Sequence, residues 1–144
     1  MRISHQSPGS TFVRFIAALS MIPHARHWAG EQARAHRVGL RTVRTIELLA
    51  TEAVTNAVVH GPPAGTVEVT VDQRGPHLRV GVRDGSDAVP VLRDPAPGEI
   101  GGRGVLLIDR LSHAWGVERH HGGGKTVWFD VPRGDRPAPG AQDN

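Results

Sequence analysis

The run from Leu40 to His60, LRTVRTIELLATEAVTNAVVH, constrains the fold of this chain more than any other stretch. Val43, Ile46, Ala50, Ala53, Val54 and Ala57 recur at the spacing of about 3.6 residues that stacks them on one face of an α-helix. Gly61, Pro62 and Pro63 then stop the helix, since Pro has no N–H to continue the ladder and Gly tolerates the exit geometry. A helix this long with a continuous apolar face needs a packed partner.

The partner is expected to be a sheet. TVEVTVD (Thr66 to Asp72) and LRVGVRD (Leu78 to Asp84) alternate apolar and polar residues with period two, and QRGPH between them reads as a turn. Phe12 to Leu19 forms a first strand, Pro23 opens a helix over His24 to His36, and VLLIDRLSH makes a third helix. AWGVERH, HGGGK and TVWFDVP then read as strand, tight turn and strand. Residues 85 to 104 carry three prolines and five glycines without usable period, and a connection of that length in a compact domain is usually functional or disordered. The fold class is therefore an α+β two-layer sandwich: a mixed, mainly antiparallel sheet with helices on one face. The domain is expected over residues 12–132, with a flexible tail over 1–11 and a disordered one over 133–144, both rich in Pro, Gly and Ser.

Composition closes off several functional classes. At 144 residues and 38% hydrophobic content, the chain supports one core. With no Cys there is no disulfide framework and no thiolate metal site, which fits a cytoplasmic protein. FIAALSMI is too short to span a bilayer, so no membrane role is expected. The pI near 10.9 accompanies a net charge of only +3, because Lys125 is the one lysine and no Tyr or Cys titrates below Arg. With the Arg scattered among acids and few aromatic residues for stacking, direct nucleic-acid binding is not expected. The nine His show no spacing typical of a metal site.

Three constellations carry chemistry. Glu52 and Asn56 lie one turn apart beside the apolar stripe, where burial without partners is costly; either they serve a ligand or they form a wet helix edge. GGRGVLLI (Gly101 to Ile108) sets glycines before a helix whose free N–H groups suit a phosphate, although a plain flexible loop has the same composition. VRDGSD (Val82 to Asp87) ends a strand with Asp84, which either makes a turn or accepts a hydrogen bond from an exocyclic amine.

In combination these motifs resemble the histidine-kinase-like ATPase superfamily with the Bergerat ATP-binding fold, and within it the stand-alone anti-sigma-factor serine/threonine kinases. EAVTNAVVHG is similar to the family's N box, VRDGSD to its first glycine box, GGRGVLLIDRLSHAWGV to its second, and GGGKTVWFDVP to its closing hairpin. The resemblance implies ATP and Mg²⁺ as cofactors. It makes Glu52 the general base, Asn56 the Mg²⁺ ligand, Asp84 the acceptor for the adenine amine and Thr126 a second, water-mediated adenine contact. Ser86, Gly102, Arg103, Gly104 and Val105 would complete the nucleotide contacts. Ser86 stands where many superfamily members have a glycine, as tolerated in the anti-sigma branch. The connection from Asp84 to Gly102 is too short for the elaborate lid of full sensor kinases.

The function so implied is an ATP-dependent serine/threonine protein kinase that phosphorylates an anti-sigma-factor antagonist and sequesters a sigma factor, with homodimerisation an expectation of the same resemblance. The alternative is a catalytically silent nucleotide-binding switch that regulates a partner protein.

Overall fold

The computed structural model describes residues 2–7, 10–88 and 104–134. Strands β1 (Arg2–Ser7) and β2 (Ser10–Ile16) lead through a short 3-10 turn at Leu19–Met21 into helices α1 (Ile22–Ala35) and α2 (Leu40–His60). Strands β3 (Thr66–Arg74) and β4 (His77–Asp84) follow, then α3 (Gly104–Leu111), β5 (Ala114–Arg119) and β6 (Lys125–Pro132). The six strands form one sheet in the order β1-β2-β3-β4-β6-β5, and every ladder between described neighbours is antiparallel. The sandwich expected from the pattern is thus present, with the mainly antiparallel sheet antiparallel throughout these ladders.

The helices cover one face. Val67, Val69 and Val71 of β3, Leu78, Val80 and Val82 of β4, and Val127, Phe129 and Val131 of β6 alternate onto that side. They meet Ile46, Leu49, Ala50, Ala53, Val54 and Ala57 of α2, together with Ile108 of α3. α2 is the central helix, packed between α1 and α3. α1 comes in close because its contact face is small: a Cβ on Gly30 would lie 2.9 Å from side-chain atoms of Glu47 on α2. The other face of the sheet is polar, as expected of an antiparallel sheet covered on one side. There Arg79 donates to Asp130 at 2.8 and 3.0 Å and its guanidinium carbon sits 3.9 Å from the Trp128 ring centroid. The bonds to Asp130 hold the Arg79 pKa above its ordinary value.

The described structure reaches beyond residues 12–132 at both ends. Arg2–Ser7 pairs with β2, Arg2 opposite Arg14 and Ser4 opposite Phe12, while Ser10 and Thr11 already pair with Asp72 and Val71 of β3. An edge strand takes its order from ladder bonds that a neighbour supplies, so it needs no apolar period of its own. At the other end Arg133 donates from its backbone N–H to the Pro76 carbonyl at 3.0 Å and from its guanidinium to the His36 carbonyl at 2.8 Å. Residues 135–144 lie outside the described residues. Among the described residues no helix is long and apolar enough to cross a membrane.

Candidate nucleotide site

Helix α2 presents three kinds of surface. Its apolar stripe lies on the sheet, and the edge bearing Glu47 lies against α1. Because α2 separates α1 from α3, the opposite edge, with Glu52 and Asn56, is the one on the α3 side. Both residues are half-buried, neither in the dry core nor on an open surface. Their neighbours on the outward side, Leu48 and Val59, are exposed. Position on the helix alone accounts for this, since the pair stands just beyond the buried Leu49 and Ala53.

Asp84 ends β4 on the helix-facing side of the sheet, and its side chain is only 3% exposed. It faces Lys125 across the β4–β6 ladder, and the ammonium donates to both carboxylate oxygens, at 3.0 Å to Oδ1 and 2.9 Å to Oδ2. Oδ1 also accepts from the Ser86 backbone N–H at 2.7 Å. Close backbone approach makes the corner. Gly61, which caps α2 by donating to the Ala57 carbonyl, brings the helix end to Asp84: a Cβ there would lie 3.5 Å from the Asp84 Cβ. Gly124 has φ +86° and passes so near the Asp84 carbonyl oxygen that a side chain would collide with it. The end of the helix that carries Asn56 is thereby held against the strand end that carries Asp84.

Thr126 does not belong to this corner. It pairs with Arg83, one residue out of phase with the Asp84–Lys125 pair, so its side chain points to the polar face of the sheet. There it shares a 2.7 Å hydrogen bond with His120 Nε2 and lines a hollow of about 230 Å³ with Thr70, Gly81 and Glu118. The expected second adenine contact is therefore corrected: the β6 side chain that reaches Asp84 is Lys125. The alternation of Val127, Phe129 and Val131 places position 125 on the inner side of the strand, whereas the expectation for Thr126 rests only on the family resemblance. A second hollow, of about 390 Å³, has Asp84 and Gly85 in its wall, but Arg14, Thr66, Glu68 and Arg83 place it on the polar face too. The carboxylate of Asp84 itself is on the helix side.

Ser86 works locally. Besides its N–H bond to Asp84, its hydroxyl accepts from the Ala88 N–H at 3.0 Å, so both groups shape the turn after β4. Asp87, which the motifs did not single out, accepts from the Gly124 N–H at 3.1 Å and ties that turn to the β5–β6 hairpin. Gly104 opens α3 and Val105 is buried, leaving its backbone N–H as the group that could meet a phosphate. Gly102 and Arg103 lie outside the described residues. α3 is anchored by buried Ile108 and by the Trp115 indole, which donates to Asp109 at 2.9 Å. Among the described residues no three His, Asp or Glu side chains cluster as a metal site.

A family model described as the histidine kinase-like ATPase domain matches residues 15–131. An uncharacterized protein of Streptomyces coelicolor is 41% identical over 93 residues, covering 60% of this chain and 84% of that protein.

Proposed function

The chain belongs to the histidine kinase-like ATPase domain family, and from that premise we propose that it is an ATP-binding regulatory kinase. It transfers phosphate to a serine or threonine of an anti-sigma-factor antagonist and sequesters a sigma factor. The observation that supports the reading is that the C-terminal end of α2, the helix that carries Glu52 and Asn56 along a half-buried edge, is packed through Gly61 against buried Asp84 at the end of β4.

The residues suit a nucleotide with Mg²⁺. Asn56 would hold the ion through its side-chain amide oxygen, a hard donor of the kind Mg²⁺ takes. The metal supplies charge neutralisation to the phosphates. Asp84 accepts a hydrogen bond from the adenine amine, the N–H groups that begin α3 face the phosphates, and Glu52 takes the proton from the attacking hydroxyl. Phosphoryl transfer needs positioning and electrostatics more than covalent chemistry, so such a small set of groups suffices.

The test is transfer from radiolabelled ATP to a candidate antagonist protein. Glu52→Ala should abolish transfer while ATP still binds. Transfer undiminished in that variant would remove Glu52 as the base, and ATP binding with no transfer by the wild type would leave a nucleotide-dependent switch instead of a kinase.

A further inference from the structure

The only lysine in the chain is buried against the residue expected to recognise the base. A buried ion pair contributes little net stability over apolar residues of similar volume, so stability is a weak reason for its presence. Its remaining hydrogen-bonding capacity offers a better one. The ammonium has three N–H bonds and spends two on Asp84. The carboxylate has about four lone-pair sites, and three are taken, by two bonds from Lys125 and one from the Ser86 N–H. One donor and one acceptor are left side by side, on atoms 2.9 Å apart.

We infer that Lys125 reads the base edge of the nucleotide, donating from Nζ to the adenine ring nitrogen N1 while Asp84 Oδ2 accepts from the neighbouring exocyclic amine. This rests on the ATP-binding reading and adds to it a specificity determinant. The adenine edge presents a donor and an acceptor on adjacent positions, the complement of the Asp84–Lys125 pair. Guanine presents the reverse, an oxygen acceptor where adenine has its amine and an N–H donor at N1. The charge matters as well: a bond from an ammonium in a buried site is stronger than one from a neutral hydroxyl or water. The partner of N1 is thus a side chain of β6 on the inner face of the sheet.

The test is isothermal titration of the full 144-residue chain with ATP, with 1-deaza-ATP, in which a C–H replaces N1, and with GTP. The wild type should bind ATP at least about tenfold more tightly than 1-deaza-ATP, the size of effect expected for a charge-assisted hydrogen bond, and more tightly than GTP. Lys125→Met should bind ATP and 1-deaza-ATP within about twofold of each other, since the donor that tells them apart is gone. Equal binding of the two by the wild type, discrimination that persists in Lys125→Met, or a preference for GTP would each overturn the inference and leave nucleotide binding standing. No binding of any of the three would sink the ATP-binding reading and this inference with it. The wild-type comparison needs no variant, so it decides the matter even if Lys125→Met does not fold.

Discussion

Asp84 and Lys125 face each other in register at the joined ends of β4 and β6, both nearly dry, with the ammonium bridging both oxygens of the carboxylate. A chain that otherwise uses only Arg for its strong bases has a Lys here. A compact ammonium on a flexible stem fits a corner already crowded by Gly61, Gly85 and Gly124, where a planar guanidinium would need more room.

The pair should behave as a unit in stability measurements. Asp84→Asn or Lys125→Met alone leaves a buried charge without its counter-ion and should cost about 3 kcal/mol. The double variant, with no charge left to strand, should be no less stable than either single one. Urea denaturation of the four proteins measures this, and simple additivity of the two losses would show that the groups are not coupled.

Thr126→Val separates the two faces of β6. The substitution removes the hydroxyl bonded to His120 on the polar face, so it should cost no more than about 1 kcal/mol and leave ATP affinity within about twofold. Asp84→Asn should weaken ATP by about tenfold or more, as expected when an ionised acceptor is lost. A large loss of affinity in Thr126→Val would return the hydroxyl to the site.

Asn56→Ala should act only through the metal. ATP affinity in Mg²⁺ should fall by about tenfold while binding in the presence of a chelator stays the same. Calorimetric titration in both buffers distinguishes this from a general disturbance of α2, which would lower both affinities alike.

Trp28 is buried on α1 and its indole N–H finds no partner within the described residues. Leaving a buried donor unpaired costs about 1–3 kcal/mol, so Trp28→Phe recovers that cost while giving up some packing. The net change in unfolding free energy should stay within about 1 kcal/mol, whereas Trp28→Ala should lose about 3–5 kcal/mol through the cavity it leaves.

Local pattern was sufficient for the elements that bury a face. α2 runs from Leu40 to His60, as its apolar spacing requires, and β3 and β4 extend the two alternating segments by only a residue or two. The half-buried state of Glu52 and Asn56 follows from the same wheel, because two positions beside a buried stripe can be neither fully wet nor fully dry. β1 was not legible in this way: Arg2–Ser7 gains its order from bonds supplied by β2, and polar residues at a sheet edge resemble a tail until that neighbour is present.

Apart from β1, the chain's own pattern determined which segments are helices and strands, and which side of each faces inward, because 3.6-residue and two-residue periods are set by backbone geometry. Even the inward direction of Lys125 was written in the alternation of β6. Only the tertiary structure decided what Lys125 meets there. Its partner lies 41 residues away, and the meeting depends on the β4–β6 register and on glycines that let three backbones converge. Those are properties of the assembled sheet, which no local period encodes.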